Sequence, residues 1–262
     1  MAMKIKIAFF DVDGTLIDME RKKITPNTVA ALRRLRQRGV RLCIASGRSP
    51  MLIPKIEGVT FDALLAYNGS YCYTPNEVIH SNPLSRHDVE TILGNAARLG
   101  RPVCAATKDT LSPNGMDADL TTYFAIAKLF LKPDPNFDQV VRQEVYQLML
   151  SCNPGEYAEI LAGTDNAKMA AWWDRAADII PANSGKGAGI RAVLDYFHLT
   201  KKEAIAFGDG DNDLEMLSSV GIGIAMGNAS EALKAIATEV CGDVKDDGVA
   251  AYCLEKGLID RL

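Results

Sequence analysis

Residues 5–10, IKIAFF, are apolar apart from Lys6 and stop at Asp11-Val12-Asp13-Gly14. So short an apolar run, closed by a turn residue, suits a strand covered on both faces, as the strands of a parallel sheet are. Parallel neighbours need crossover connections, usually helical, so strand and helix should alternate. They do so at both ends of the chain. Thr25-Pro26 opens a helix, with Thr25 as N-cap and Pro26 at the first helical position, and Ala30, Leu32 and Leu35 form its apolar stripe until Gly39. Strands are expected at 40–45 and 62–67, the second closing in the turn pair Asn68-Gly69. After residue 183, helices near 189–197, 213–218 and 230–237 alternate with strands near 204–207, 221–225 and 238–241. The expected fold is therefore α/β, with a doubly wound, Rossmann-like parallel sheet as its core.

The middle of the chain breaks this rhythm. It offers a helix at 86–99, β-leaning segments at 102–106, 146–152 and 168–173, a Pro-rich joint Lys132-Pro133-Asp134-Pro135 and a helix at 137–144. This mixture predicts an inserted α+β unit with its own sheet. The expected division is a core of 1–82 with 183–262 and an insert of 83–182. Pro83 and Asn183-Ser184-Gly185 flank the insert as candidate hinges.

Composition narrows the function. The chain has 262 residues, 48% of them apolar, enough for one large or two ordinary domains. Its formal charge of -4 supplies no general basic field, so no nucleic-acid partner is expected. The run Arg33-Arg34-Leu35-Arg36-Gln37-Arg38 reads as a solvated helix face. Six cysteines (43, 72, 104, 152, 241 and 253) lack CxxC pairs and His neighbours, which argues for buried thiols rather than zinc or disulfides. The start of the chain enters its first strand without a signal peptide's apolar core, and no apolar stretch reaches ~18 residues. No membrane partner is expected, and the expected location is cytoplasmic. His80, His87 and His198 lie outside every motif and read as surface or packing residues. Trp172 and Trp173 read as core and strand surface of the insert.

The chemistry gathers where such sheets bind ligands, beyond the carboxyl ends of their strands. Asp11 and Asp13 follow the first strand, Ser46-Gly47-Arg48 the second, and Gly208-Asp209-Gly210-Asp211-Asn212-Asp213 the strand near 204. Lys186 sits in a glycine-flanked turn, Ser184-Gly185-Lys186-Gly187, that leads into a helix. Two carboxylates two residues apart repel unless a cation lies between them. Carboxylates from two strands make a hard oxygen site that suits Mg²⁺, which takes few protein ligands and keeps positions for water and phosphate. Ser46 and Lys186 would then hold phosphate oxygens. Neither acidic stretch is a Ca²⁺ loop, because an EF-hand from Asp11 needs Gly and Glu where Leu16 and Lys22 stand, and one from Asp209 meets Leu214 and Val220. Plainer readings stand beside these. Asp18, Asp211 and Asp213 each fit a turn or helix cap, the better reading for Asp211. Lys186 also fits a surface lysine, and Arg48 either positions substrate or braces the sheet edge.

Asp11 to Leu16 (DVDGTL), Ser46-Gly47-Arg48, Lys186 and the 208–213 GDGDND run resemble, in order and spacing, the four motifs of the haloacid dehalogenase (HAD) superfamily, and within it the Cof-type phosphatases. About 30 residues separate Asp13 from Ser46 and about 140 separate Ser46 from Lys186, so the insert stands where that group carries its cap domain. The resemblance implies a phosphatase acting on small phosphorylated metabolites, hexose phosphates among them, with pyridoxal phosphate and flavin mononucleotide as further candidates. It implies Asp11 as nucleophile and Asp13 as acid and base. Mg²⁺ would be held by Asp11, the Asp13 backbone carbonyl and Asp209, with Asp213 orienting Lys186 or a metal water. Phosphate and substrate contacts would come from Ser46, Gly47, Arg48, Asn68, Gly69, Lys186 and Asn212. Two other functions stand beside it: a phosphomutase, which would use the same Asp11 and Asp13 but return the phosphoryl group to sugar, and a non-catalytic binder, which would be expected to lack Asp11, Asp13 or Asp209.

Overall fold

The computed structural model describes residues 5–171 and 173–261. It divides the chain into two compact units, one of residues 1–48, 53–81 and 185–262 and one of residues 49–52 and 82–184.

The first unit opens with β1 (Ile7–Phe10), α1 (Pro26–Gln37), β2 (Arg41–Ala45), β3 (Ala63–Ala66), β4 (Tyr71–Tyr73) and β5 (Val78–Ser81). The second unit follows with α2 (Arg86–Arg98), β6 (Val103–Ala106), β7 (Leu111–Pro113), α3 (Ala118–Ile126), α4 (Phe137–Val140), β8 (Gln147–Ser151), α5 (Tyr157–Ile160), β9 (Ala167–Ala170) and β10 (Ala176–Pro181). The chain then completes the first unit with α6 (Lys186–Tyr196), β11 (Ala204–Gly208), α7 (Leu214–Ser218), β12 (Ile222–Ala225), α8 (Glu231–Ile236), β13 (Glu239–Val240) and α9 (Gly248–Glu255).

The first unit's sheet runs β13-β12-β11-β1-β2-β3-β4-β5, parallel through β3 and antiparallel at β4 and β5. All four residues of β1 are buried, as a two-sided cover requires. β1 pairs with β11 and β2 in register, Phe10 opposite Phe207 and Ile44, so the loops after these three strands leave the sheet at one edge. Phe10 and Phe207 stack at 5.3 Å between ring centroids. Thr25 caps α1 as its sequence indicates, its hydroxyl accepting from the Thr28 amide at 3.1 Å, and Gly39 turns the chain with a left-handed φ of 81°. Two arginines of α1 reach the loop before β3: Arg33 donates to the Glu57 and Gly58 carbonyls, and Arg36 to the Thr60 carbonyl and the Asp62 carboxylate. The six cysteines are free, five of them buried, and burial pushes the Cys152 thiol up to about 11.

The second unit is an antiparallel five-stranded sheet, β7-β6-β8-β10-β9. Ala177 and Ile179 of β10 join Leu148 and Leu150 of β8 and Val89 and Ile92 of α2 in one apolar core. Alternation sends Asp178 to the opposite face, where it is 4% exposed and accepts from the Tyr123 hydroxyl at 2.5 Å. The helix expected at 137–144 stops at Val140, and Trp172 lies outside the described residues. Among the described residues no helix is long and apolar enough to cross a membrane.

Two predictions follow from packing. A Cβ on Gly189, inside α6, would stand 2.8 Å from Leu65 Cδ2, 2.9 Å from Gly69 Cα and 3.0 Å from Cys72 Sγ. Gly189→Ala is therefore expected to destabilise by about 1–3 kcal/mol on a urea titration, although Ala is the better helix former. The second concerns Asp178. Burial, opposed by hydrogen bonds from Tyr123 and Gln147, lifts its carboxyl from 3.8 to about 7. Between those values the folded protein binds more protons than the unfolded chain, so this carboxyl makes stability fall as pH rises, by about 1.4 kcal/mol per pH unit. Asp178→Asn should remove that slope from unfolding midpoints measured between pH 4 and 7.

Candidate active site

Asp11 follows β1 directly, and its amide donates to the Phe207 carbonyl at 3.0 Å, so the sheet ladder itself fixes this position. Its carboxylate is buried and meets the ammonium of Lys186, the first residue of α6, at 2.5 Å. Lys186 is 1% exposed, and its Nζ also reaches Asp213 Oδ1 at 2.6 Å. A buried ammonium is costly alone and tolerable between two carboxylates. Burial pulls the lysine's affinity for its proton down, yet the charges of Asp11 and Asp213 outweigh this and raise it, so Lys186 is held as a cation.

Both oxygens of Asp213 are engaged. Lys186 takes Oδ1, and Oδ2 accepts from the amides of Asp209, at 2.9 Å, and Gly210, at 3.1 Å. A Cβ on Gly208 would lie 2.6 Å from that carboxyl group, so the loop can fold over Asp213 because residue 208 is glycine. Asp209 Oδ1 accepts from Thr15 Oγ1 at 2.8 Å, and its Oδ2 occupies space that a Cβ on Gly14, at a left-handed φ of 87°, would invade at 2.1 Å. Carboxylate oxygens of Asp11, Asp209 and Asp213 all lie within 4.8 Å of one another. Burial, then the Asp213 charge, pushes Asp209 up to about 7. Burial also pushes Asp11 well up, against Lys186 and reinforced by Asp213 and Asp209. This donor set fits a hard divalent cation. Asp11 and Asp209 each keep an oxygen not committed to a hydrogen-bond donor, and both are unfavourable as unshielded anions.

Asp13 stands apart from that cluster. Both its oxygens are taken by the Arg48 guanidinium, Nε to Oδ2 at 2.7 Å and Nη2 to Oδ1 at 2.6 Å. Ser46, 2% exposed, accepts from the Arg48 amide through Oγ at 3.2 Å. The 46–48 loop is knitted to the turn after β3: Asn68 N donates to Ser46 O and Tyr67 N to Arg48 O. Tyr67, Asn68 and Gly69 all have left-handed φ, 51°, 52° and 88°. Asn68 Oδ1 accepts from Asn212 Nδ2 at 3.2 Å, and a Cβ on Gly47 would sit 3.2 Å from the Asn68 amide group, so Gly47, Asn68 and Asn212 form one contact. A Cβ on Gly69 would meet the Gly185 carbonyl at 2.5 Å, so the turn lies against the entrance to α6. Asp211 instead receives the Ser230 hydroxyl at 2.5 Å, on the loop's outer side.

Two supporting residues escape the sequence reading. Thr15 braces Asp209, and Asn228 Nδ2 donates to the Gly14 carbonyl at 2.8 Å while its Oδ1 accepts from the Val244 amide. Thr15 could have been found, since it lies inside the first motif. Nothing local marks Asn228, which is 214 residues from its partner.

A parallel sheet with an acidic cluster, a buried lysine and a serine loop beyond its strand ends defines a class of hydrolases. The chain belongs to the haloacid dehalogenase-like hydrolase family, which it matches over residues 8–252. A Bacillus subtilis (strain 168) protein named "Putative phosphatase YkrA" is 34% identical over 98% of this chain and 100% of its own. The HMP-PP phosphatase of Citrobacter koseri is 27% identical over 86% of this chain and 85% of its own. Among solved structures, BT1666 from Bacteroides thetaiotaomicron, one of the phosphatases of this superfamily, superposes with a TM-score of 0.91 at 26% identity, covering 98% and 97% of the two chains. The HAD subclass IIB sugar phosphatase BT4131 gives 0.86 at 27% identity, covering 97% and 100%.

The buried lysine yields a prediction. Lys186→Met leaves Asp11 and Asp213 buried without a counter-charge. In chelator at pH 8, unfolding by urea should show a loss of about 3–5 kcal/mol. An unchanged midpoint would mean that the carboxylates do not depend on this lysine.

Proposed function

We propose that this phosphatase hydrolyses small phosphomonoesters, sugar phosphates among them, with Mg²⁺ and through an aspartyl-phosphate on Asp11. The observation that carries this reading is the Asp11–Lys186–Asp213 triad, which presents a nucleophile, a fixed cation and a metal-fitting carboxylate cluster at one sheet edge.

Asp11, the Asp13 backbone carbonyl and Asp209 would hold Mg²⁺, and Asp213, engaged by Lys186 and two amides, would keep the 209–210 loop and the lysine in place. Bound there, Mg²⁺ supplies the positive charge that lets one anion approach another. Asp11 attacks phosphorus in line, and Lys186 and Ser46 bind the equatorial oxygens whose charge grows in the transition state. Asp13 gives its proton to the departing alcohol and later takes one from the attacking water. Arg48, Gly47, Asn68, Gly69 and Asn212 line the loops available to substrate. The first unit's strand-end groups would be engaged with phosphate and cation, so we assign choice of leaving group to the 82–184 unit, acting as a cap.

The test is inorganic phosphate release from a panel of phosphomonoesters, with Mg²⁺ and with chelator, for wild type and Asp11→Asn. Release that needs Mg²⁺ and falls at least ~10³-fold in the variant is expected, since nucleophile and cation act as one unit. Transfer of label to a second sugar hydroxyl without free phosphate would mean a mutase. Silence across the panel would favour a binding protein.

A further inference from the structure

We infer that Arg48 is the positioning residue of Asp13, holding the carboxyl group that moves protons in both halves of the reaction. The inference rests on the phosphohydrolase reading above. It starts from geometry: one edge of the Arg48 guanidinium donates to both Asp13 oxygens, at 2.7 and 2.6 Å, across 35 residues of sequence. Two parallel charge-assisted bonds fix the plane of a carboxylate as well as its place.

Both ends of this link are anchored. Arg48 donates its amide to Ser46 Oγ at 3.2 Å and accepts Tyr67 N at 3.0 Å, which ties the root of the fork to the loop carrying the candidate phosphate ligand. Asp13 is pinned by its bridge to Ile17, closed by Gly14 N on the Ile17 carbonyl at 2.9 Å. The pair is about one-third exposed on each side, so the carboxylate is held without being sealed from a leaving group or water.

The proton bookkeeping explains why a fork is useful here. In the first half, the proton on Asp13 passes to the ester oxygen as the P–O bond breaks, the phosphoryl group goes to Asp11, and Asp13 is left as a carboxylate. That carboxylate is the form the guanidinium binds, so Arg48 stabilises charge appearing on Asp13 as the alcohol departs. In the second half, Asp13 takes a proton from the water whose oxygen bonds to phosphorus while the Asp11–P bond breaks. With each oxygen accepting one N–H, a lone pair remains on both for that proton. A lysine would supply the charge without the fork and leave the plane unset.

The experiment compares two esters with Mg²⁺ present. p-Nitrophenyl phosphate needs no acid to release its anion, whereas glycerol 2-phosphate needs a proton on its alkoxide. With enzyme in excess, folded Arg48→Ala should lose single-turnover nitrophenolate release at least ~10-fold less than it loses multiple-turnover phosphate release. Its multiple-turnover phosphate release from either ester should fall by ~10²-fold or more, the scale of general acid and base catalysis. Arg48→Lys should lie between. In an Asp13→Asn background, Arg48→Ala should cost at least ~10-fold less than it costs in wild type. Parallel loss of single-turnover and steady-state rates in folded Arg48→Ala and Arg48→Lys would overturn the inference, as would losses that multiply with Asp13→Asn. If wild type released phosphate from neither ester, the phosphohydrolase reading would fail first and take this inference with it.

Discussion

The ammonium of Lys186, buried between Asp11 and Asp213, is the contact on which the first unit's strand ends depend. Dehydrating three charged groups is unfavourable, and their mutual attraction offsets that cost only while the geometry is kept. The sheet and α6 keep it. Asp11 is hydrogen-bonded to β11 through its amide, Lys186 opens a helix packed through Gly189 onto Leu65 and Gly69, and Asp213 is bonded by two amides of its own loop. Loss of Lys186 leaves two carboxylates in the interior without a counter-charge. The same contact that orders the site therefore couples it to folding.

Where the sequence was readable, local chemistry and tertiary need agreed. β1, β2, β11 and α1 carry apolar runs or stripes with turn or cap residues at their ends, and each lies within a few residues of its expected place. β4, β5, β7 and α9 had no such marks. β4 and β7 are three residues long, too short for periodicity, and α9 starts at Gly248 after Asp247 in a left-handed conformation, with no side-chain cap. β10 hides because Asp178 interrupts its apolar run; only the partners Tyr123 and Gln147, brought from α3 and β8, make a buried carboxylate acceptable there.

The site shows the same boundary. Which residues carry the chemistry could be read, because paired carboxylates, a glycine-flanked lysine and a Ser-Gly-Arg turn are unusual in combination. Which residue supports which could not, because those contacts are fixed by the sheet order. Asp13 and Arg48 meet because β1 and β2 are neighbours, and Asp11, Lys186 and Asp213 meet because β11 lies on the other side of β1.

Charge balance joins these contacts into one argument. Arg48 pairs with Asp13, whose charge still adds to the rise in the proton affinity of Asp209. Lys186 neutralises one of the three carboxylates that remain, Asp11, Asp209 and Asp213, so two negative charges are unmatched when all are ionised. Burial raises the proton affinities of Asp11 and Asp209, the neighbouring carboxylates raise them further, and protons are one way to discharge the surplus. A divalent cation is another, and it would discharge the surplus while leaving Asp11 ionised, as the nucleophilic role proposed for it requires.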